Sequence, residues 1–324
     1  MVQWGFIGCG AVTELKSGPA FGKVKGSAVV AVMRRDGDRA RDYAQRHGIG
    51  KWYDDAEALI NDPEVNAVYV ATPPGSHAAY AIAAMKAGKP VYVEKPMAAS
   101  WEEAEAMNRV SEETGVPLFV AYYRRTLPYF RRVKQLIDEG ALGALSTVQI
   151  RFAIPPYKSD FDRANLPWRV TRALAGAGYF YDLASHQLDL LDYLLGEITG
   201  VQGFSANVGG LYEVEDTLTA AFRFQSGVLG SGSWSFVAPD DTRTDLIDFV
   251  GTKGKLTCST FMFSPICLET TGGRQEYREE NPQNIQYYLI ESIVNYLNGE
   301  GPLPVSTGLT AARTNGVMDQ ILYR

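Results

Sequence analysis

The sequence predicts an α/β protein of two domains: an N-terminal doubly wound parallel sheet and a C-terminal α+β domain with a large, open, mostly antiparallel sheet. The chain has 324 residues, more than one simple core usually holds. Over roughly the first 120 residues, short apolar strands alternate with helices, as in doubly wound sheets. Later strand segments follow one another in hairpins, which indicates antiparallel pairing. We therefore place the two domains at residues 1–121 and 122–324.

Composition and charge narrow the class of protein. Apolar residues make up 46% and charged residues 21% of the chain, which is ordinary for a soluble globular protein. The net charge of −6, without a long basic run, makes nucleic acid and anionic membranes poor partners. The three cysteines are odd in number and lack a CxxC spacing, so we expect reduced thiols and no metal site. No secretory signal or bilayer-spanning run is visible, and we expect a cytoplasmic protein.

A glycine-rich turn separates the first predicted strand, at residues 3–7, from the first helix. Glycines let the backbone approach a pyrophosphate, which can lie at the helix N-terminus. Thr13 stands where a third small residue is usual, so the helix should pack less closely on the strand, and Gly18-Pro19 interrupts it early. A strand before the turn and a helix after it predict a Rossmann dinucleotide-binding domain. The turn residues that we expect to contact the cofactor are Gly8, Gly10, Ala11 and Val12.

The second predicted strand, at residues 28–33, ends in Arg34-Arg35. A domain that binds NAD usually has Asp or Glu at this place, on the ribose hydroxyls. Two guanidinium groups suit the 2′-phosphate of NADP instead, because arginine forms paired, charge-assisted hydrogen bonds with phosphate. The alternative is a pair of surface arginines beside a helix start. The position of Arg34 favours NADP(H) over NAD(H).

The predicted parallel sheet has six strands, and we locate later ones at residues 67–71, 90–94 and 118–121. Ser76 is placed to cap the helix that follows the first of these, so His77 falls in the first turn of that helix, near the cofactor edge of the sheet. A single histidine there is more often a capping or packing residue than a catalyst.

The strand at residues 90–94 stops abruptly, because Pro96 cannot continue a sheet ladder. Glu94 and Lys95 therefore lie at its carboxyl end, the edge at which parallel sheets bind ligands. An isolated lysine is more commonly a solvated surface cation. Here the apolar run before it and the proline after it indicate a fixed, partly buried amine, which can hold a ligand oxygen or help to transfer a proton.

The second half begins with a predicted helix at residues 128–139 and a strand at 145–152. A long loop at residues 154–171 carries Trp168, Arg169 and other aromatic side chains. Long loops in compact domains are commonly functional. Its aromatic rings would stack on a sugar-like ring or merely cover the edge of the domain.

A helix is predicted at residues 179–195, with Asp182, His186 and Asp189 spaced i, i+4, i+7 along one face and the following leucines on the buried side. For an arbitrary helix, a surface pair is the more common interpretation of Asp182 and His186. If the carboxyl edge of the first sheet faces the second domain, both would instead converge with Lys95 on a nicotinamide. Histidine is suited to proton transfer near neutral pH, and Asp182 would orient its ring or hold a substrate hydroxyl.

From residue 198 onward, strand signals dominate. The predicted hairpins pair residues 217–224 with 228–236, 246–250 with 256–259, and 266–270 with 275–277. Helices at residues 283–298 and 307–322 end the chain. So few helices would leave one face of the sheet uncovered, and we expect a partner subunit there, in a homodimer or homotetramer.

Together these motifs resemble the glucose–fructose oxidoreductase / inositol dehydrogenase (Gfo/Idh/MocA) family of NAD(P)-dependent oxidoreductases, over nearly the whole chain. The motifs are Gly8-Cys9-Gly10, Thr72-Pro73-Pro74-Gly75-Ser76-His77, Glu94-Lys95-Pro96, and Gly176-Ala177-Gly178 through Asp182 to His186. The resemblance implies that Lys95 and His186 are catalytic, with Asp182 beside them. It also implies a cis peptide between Lys95 and Pro96.

The resemblance assigns binding residues as well. It implies that the cofactor is lined by Thr72, Pro73, His77, Glu94 and Lys95 and the substrate by Lys95, Trp168, Arg169, Asp182 and His186. The Trp168-Arg169 pair is similar to that of the anhydrofructose reductase branch, which prefers NADPH. Tyr123 stands where the family often has Asn, and we assign it to the cofactor site; Ala177 replaces a frequent glycine.

The sequence thus predicts an NAD(P)-dependent oxidoreductase that transfers a hydride between the nicotinamide and a carbonyl or hydroxyl group of a sugar, anhydrosugar or cyclic polyol. One alternative is a glycosidase of the same fold that uses a retained nicotinamide for transient oxidation. Another is a non-catalytic dinucleotide-binding protein. The presence of Lys95, Asp182 and His186 argues against the latter, since a sensor does not need all three.

Overall fold

A computed structural model describes residues 1–323 of the chain. They divide into two compact units. The first comprises Met1–Thr126 and Pro282–Ala312, and the second comprises Leu127–Asn281 and the described residues from Arg313 onward. This division differs from the predicted one in two respects: the first crossing lies after Thr126 rather than residue 121, and a late segment of the chain belongs to the first unit.

The first unit is built on a parallel sheet. Its strands are β1 (Val2–Ile7), β2 (Ser27–Met33), β3 (Lys51–Tyr53), β4 (Ala67–Val70), β5 (Val91–Val93) and β6 (Leu118–Val120). Across the described residues these six strands pair in the order β3-β2-β1-β4-β5-β6, which confirms the predicted doubly wound sheet. The sequence did not locate β3, because three residues that begin with a lysine at a sheet edge carry too little apolar alternation.

Helices connect these strands. They are α1 (Ala11–Leu15), α2 (Gly18–Lys23), α3 (Gly37–His47), α4 (Ala56–Asn61), α5 (His77–Lys86) and α6 (Trp101–Thr114). The capping box predicted for α6 is present in a shifted form. Ser100 Oγ accepts a hydrogen bond from Glu103 N (3.3 Å), whereas the Glu103 carboxylate accepts from Ala99 N (3.0 Å), one residue further back.

The second unit contains a mixed sheet. Its strands are β7 (Leu145–Ala153), β8 (Ile198–Ala206), β9 (Thr217–Phe224), β10 (Leu229–Ser235), β11 (Thr244–Gly251), β12 (Gly254–Cys258), β13 (Ile266–Thr270) and β14 (Gly273–Tyr277). Within the described chain these eight strands pair in the order β14-β13-β12-β11-β7-β10-β9-β8. Strands β7 and β10 run parallel and the other neighbours antiparallel, so the mostly antiparallel sheet and its predicted hairpins are confirmed.

This sheet has one packed face and one open face. Along β7, Val148, Ile150 and Phe152 are buried and alternate with exposed Gln149 and Arg151. The period of two is that of a strand with only one covered face.

The helices of the second unit depart from the predicted pattern. They are α7 (Pro128–Asp138), α8 (Arg172–Ala175) and α9 (Ser185–Leu195), and a π-helical segment, Phe180–Ala184, leads into α9. Residues 185–192 are all buried, so α9 is not amphipathic with a polar outer face. The simple surface pair weighed for Asp182 and His186 is therefore wrong for His186, which is 3% exposed.

The last helices are α10 (Tyr287–Leu297) and α11 (Gly308–Leu322). The apolar side of α10 explains why this segment belongs to the first unit. Leu289, Ile290, Ile293 and Val294 are all fully buried in a cluster that also holds Phe21 from α2. Burial of four such side chains contributes several kcal/mol at about 1.5–3 kcal/mol each.

The three cysteines are free thiols, as predicted. Cys9 and Cys258 are buried, and burial raises the pKa of Cys9 to about 11. Within the part of the chain that the structure describes, none of the helices combines the length and the apolar character needed to cross a membrane.

Candidate active site

The glycine-rich turn between β1 and α1 is shaped by close backbone contacts. Gly8 has a φ of +94°, and a Cβ on it would lie 2.7 Å from the Thr72 side chain and 2.9 Å from the backbone of Ala71, so a larger residue does not fit. A Cβ on Gly10 would instead meet open space. Thr13 is fully buried and its Oγ1 donates to Gly10 O (2.9 Å), which closes the turn. The open side at Gly10 suits the approach of a phosphate group.

Arg34 lies against this turn. Its Nη1 donates to Cys9 O (3.2 Å), and its charge opposes the effect of burial on the pKa of Cys9. The next residue, Arg35, is exposed. Asp36, the nearest acidic residue in sequence, caps α3 by accepting a hydrogen bond from Arg39 N (3.2 Å). The end of β2 therefore presents cations beside the glycine-rich turn.

The loops that follow β4 and β5 are joined through a buried histidine. His77 is fully buried; its Nδ1 lies 3.1 Å from Pro96 O and 3.3 Å from Met97 O, and its Nε2 lies 2.7 Å from Thr72 O. Burial lowers the pKa of His77, while the three carbonyl contacts and the charge of Glu94 oppose this shift. The ring contacts backbone carbonyls, so its geometry supports fixing these two loops.

Two details of this region bear on the predictions. Ser76 precedes α5, as predicted, but its hydroxyl donates to Pro73 O (3.0 Å) and lies 2.8 Å from Thr72 Oγ1, and no side-chain cap hydrogen bond forms. The Lys95–Pro96 peptide is cis, which confirms what the resemblance implies.

Lys95 stands out by its exposure. Across residues 91–98 every side chain except that of Lys95 is buried. Glu94 is 6% exposed, and its carboxylate accepts hydrogen bonds from Tyr69 and Gln286. Buried hydrogen bonds therefore hold this segment in place, and Lys95 is the side chain in it that solvent can reach. Neither contact could be predicted from local sequence, because Tyr69 lies 25 and Gln286 192 positions away from Glu94 along the chain.

In the second unit, three of the predicted substrate residues, Trp168, Arg169 and Asp182, form one cluster. Arg169 Nε donates to Asp182 Oδ2 (3.0 Å), and the guanidinium lies 4.6 Å from the centre of the Trp168 ring. The Asp182 side chain is 22% exposed, so it is still accessible. Asp182 belongs to the π-helical segment, a geometry that occurs frequently at functional sites.

The long loop that carries Trp168 is anchored by Asp160, which is fully buried. Tyr179 Oη donates to Asp160 Oδ1 (2.6 Å), and Tyr157 N donates to Asp160 Oδ2 (2.8 Å). Burial, and secondarily the charge of Asp182, raise the pKa of Tyr157. Gly178 has a φ of +62°, and a Cβ on it would lie 2.5 Å from Val214, which explains a glycine before the π-helical segment. The loop is therefore an ordered wall beside Asp182.

The remaining candidates are also placed. His186 is buried with its ring edge-on to Phe261, at 5.9 Å between ring centres. Tyr123 is half-buried, and the Arg124 guanidinium lies 5.1 Å from its ring centre. Among residues 1–323, no group of three or more His, Cys, Asp or Glu side chains is arranged to hold a metal ion.

The structure thus assembles the predicted residues in three groups. In the first unit, Arg34 joins the glycine-rich turn, while Thr72 and His77 join the loop that carries Lys95. In the second unit, Trp168 and Arg169 join Asp182.

Family models match both parts of the chain. Residues 2–122 match the model described as an oxidoreductase family with an NAD-binding Rossmann fold, and residues 130–257 match the GFO/IDH/MocA C-terminal domain.

Similar proteins cover most of the chain. An oxidoreductase from Formosa agariphila is 37% identical over 98% of this chain and 97% of its own length. A 1,5-anhydro-D-fructose reductase from Ensifer adhaerens is 32% identical over 71% of this chain and 68% of its own. A crystal structure of an oxidoreductase from Agrobacterium radiobacter, in complex with NAD⁺, L-tartaric acid and magnesium, has a TM-score of 0.84 at 25% identity and covers 98% of this chain and 94% of that one.

The contacts of His77 lead to a first experimental expectation. His77→Phe keeps an aromatic ring but removes both ring nitrogens from the carbonyl oxygens of Thr72, Pro96 and Met97. A buried polar group left without a partner costs about 1–3 kcal/mol, and we expect a loss of that order in the free energy of unfolding, measured by urea denaturation.

The matched control is His47→Phe. That ring is partly exposed, stacks on Tyr43 and pairs with Glu14, so its loss should cost less than about 1 kcal/mol. Equal stabilities for the parent and His77→Phe would contradict the role assigned to His77.

Proposed function

This chain belongs to the GFO/IDH/MocA family of oxidoreductases with an NAD-binding Rossmann fold, and on that premise we propose that it transfers a hydride between NADP(H) and a carbonyl or hydroxyl group of a sugar, anhydrosugar or cyclic polyol. The observation that carries the proposal is the exposure pattern around Lys95. Its side chain is the accessible one in a buried run, residues 91–98, at the carboxyl end of a parallel strand. Parallel sheets bind ligands at that edge.

The cofactor would be held by groups of the first unit. The turn at Gly8 and Gly10 offers backbone to the pyrophosphate, and Arg34 and Arg35 offer guanidinium groups to a 2′-phosphate. Thr72, Pro73 and Tyr123 would line the remainder. When bound, the nicotinamide supplies or accepts the hydride.

The proton and the substrate oxygen would be handled by protein side chains. In the direction of reduction, the carbonyl oxygen gains negative charge as hydride arrives at carbon. The Lys95 ammonium would stabilise that charge, and His186 would deliver the proton that completes the hydroxyl group. In the direction of oxidation, His186 would accept the proton instead.

A sugar-like substrate suits the cluster in the second unit. The Asp182 carboxylate can accept hydrogen bonds from hydroxyl groups, and Arg169 keeps it in place through the 3.0 Å contact. Trp168 offers an aromatic surface, to which the apolar face of a sugar ring can bind. The similarity to a 1,5-anhydro-D-fructose reductase supports the same class of substrate.

The cofactor preference is tested by replacing Arg34. One charge-assisted contact to the 2′-phosphate is worth about 1.5–3 kcal/mol, so we expect the parent to bind NADPH at least about tenfold more tightly than NADH. Arg34→Ala should lose most of this difference, whereas Arg39→Ala, which removes an exposed arginine of α3, should keep it. The dissociation constants of NADPH and NADH are measured by nicotinamide fluorescence. Equal affinities of the parent for the two cofactors would refute the preference.

The catalytic assignment is tested with Lys95→Ala and His186→Ala. The loss of a proton-transfer group typically lowers turnover about 10²–10⁴-fold, and we expect NADPH affinity to change little, since the phosphates are bound elsewhere. Turnover is measured with 1,5-anhydro-D-fructose, glucose and myo-inositol as representatives of the three substrate classes. Lys86→Ala, at an exposed position of α5, is the control that should retain the parent rate.

Thermal melts on the same samples distinguish a catalytic role of His186 from a role in packing alone. If His186 only packs, its replacement lowers stability and leaves the turnover of the folded fraction intact. A folded His186→Ala protein with the parent rate would remove His186 from the mechanism. Oxidation of free NADPH without cleavage of a glycosidic bond distinguishes the proposed activity from that of a glycosidase.

We further propose that the open face of the second-unit sheet joins copies of this chain in a homodimer or homotetramer. Strand register places Phe204, Thr219, Ser233 and Arg151 in one row across four strands, and Phe204 is 80% exposed. A shallow cavity of about 540 Å³ is lined by these residues. A sheet face without covering helices that carries an exposed aromatic side chain is a candidate contact surface.

Light scattering at micromolar concentration is the test of assembly. We expect a mass of two or four times 35.6 kDa for the parent. Phe204→Arg should lower that mass, because it places a charge in the centre of the contact, whereas Val208→Arg, at an exposed position beyond the end of β8, should not. A monomer mass for the parent would contradict the proposal.

A further inference from the structure

We propose that Tyr69 and Gln286 are positioning residues that fix Lys95 through the buried carboxylate of Glu94. The inference rests on the role proposed for Lys95 above and extends it to two buried side chains, one in β4 and one just before α10. It concerns the first unit alone, since all four residues belong to it.

The Glu94 carboxylate is hydrogen-bonded on both oxygens. Its Oε1 accepts from Tyr69 Oη (2.6 Å) and from Gln286 Nε2 (2.7 Å), and its Oε2 lies 3.2 Å from the backbone N of Lys95, which donates to it. Glu94 is 6% exposed, Gln286 is 2% exposed and Tyr69 is fully buried. A carboxylate held by two side-chain donors therefore holds the backbone of the next residue.

The direction of the hydrogen bond from Tyr69 is settled by its surroundings. Burial, and secondarily the charge of Glu94, raise the pKa of Tyr69 well above its ordinary value, so the hydroxyl keeps its proton. A carboxylate can only accept, and Tyr69 has one hydroxyl hydrogen, so that hydrogen points to Glu94. Ser17 Oγ lies 2.8 Å from Tyr69 Oη, and its own hydrogen can go to Val12 O, 3.3 Å away. Ser17 follows α1, so the chain of contacts reaches from the glycine-rich turn to the end of β5.

The Gln286 amide is oriented by two different partners. Its Oε1 accepts from Tyr92 Oη (2.7 Å), and its Nε2 donates to Glu94. The reversed amide would place an oxygen against the Glu94 carboxylate, which is repulsive. Gln286 therefore acts as a defined donor.

Lys95 is then bracketed on both sides. On one side the Glu94 carboxylate accepts a hydrogen bond from the backbone N of Lys95, and on the other side His77 Nδ1 lies 3.1 Å from the carbonyl oxygen of Pro96. The lysine side chain keeps four rotatable bonds, but its amine can lie only within the reach of that chain from Cα. The position of the backbone therefore limits where the amine can be. Displacement of a reacting group by about 1 Å can lower the rate of a reaction as much as about 100-fold. Loss of a donor to Glu94 should therefore lower kcat more than it weakens the binding of sugar or NADPH.

The test uses Tyr69→Phe and Gln286→Leu in the full chain, with Tyr53→Phe as the matched control. Tyr53 also donates to a buried carboxylate of the first unit, that of Asp62 (2.8 Å), so its loss imposes a comparable change in stability. We expect kcat to fall about tenfold in the two test variants, with KM for the sugar and Kd for NADPH within about twofold of the parent. Tyr53→Phe should lower the melting temperature and leave kcat unchanged.

A double-mutant cycle tests whether Tyr69 affects kcat through Glu94. If Tyr69 acts through Glu94, Tyr69→Phe should change kcat little further in a Glu94→Gln background, so that the two effects do not add. Additive losses, or a parent-like kcat in a folded Tyr69→Phe protein, would overturn the proposal.

Chemical labelling of Lys95 tests this inference without any substrate, so its result does not depend on the proposed function. Trace acetic anhydride labels lysine amines, and mass spectrometry gives the labelling of Lys95 relative to the exposed Lys25. Loss of a donor to Glu94 lets the backbone of Lys95 shift and changes the surroundings of its amine, so the ratio should change at least threefold in both variants. If the parent reduces none of the sugars, this ratio alone decides: a change supports the positioning role, and an unchanged ratio refutes it.

Discussion

The carboxylate of Glu94 is buried at the end of β5, and its need for hydrogen-bond donors organises the side chains around it. An ionised group removed from water costs several kcal/mol unless it is paired or hydrogen-bonded. Tyr69, Gln286 and the backbone of Lys95 supply those donors. Because Gln286 comes from the segment Pro282–Ala312, the apolar contacts that bind α10 to the first unit also complete this site. Lys95 is thus placed by a polar contact that depends on a hydrophobic one.

The second unit also has a carboxylate that needs a partner, that of Asp182. Asp182 stays accessible, and its charge is balanced by Arg169, which is in turn held on the Trp168 ring. The loop that carries both residues is tied down by Asp160 and Tyr179. Each unit therefore presents an accessible polar side chain, Lys95 or Asp182, on a rigid and largely buried support. The roles proposed for Lys95 and Asp182 need such support, since each group must lie within hydrogen-bond reach of a substrate oxygen.

Much of the fold could be predicted from local patterns, because apolar periodicity and turn residues report which segments are strands and helices. The doubly wound sheet and the three hairpins are examples. The rest depends on contacts that are distant in sequence. Gln286 carries no local mark of its pairing with Glu94, and the membership of α10 in the first unit follows from the partners of its apolar side. The π-helical turn at Asp182 was missed because residue spacing alone assumes a regular α-helix. At the candidate site, the sequence predicts the motif residues but not the side chains that contact them.

The central claim is that the chain passes a hydride from reduced nicotinamide to a sugar-like carbonyl. Its most direct test is the transfer of deuterium from NADPH that carries deuterium on the transferable side of C4, with 1,5-anhydro-D-fructose as acceptor. We expect the isolated alcohol to gain one mass unit at a carbon-bound position, in proportion to the NADPH consumed. A product without deuterium, formed while added NADPH stays unchanged, would contradict the account and point to chemistry on a retained cofactor.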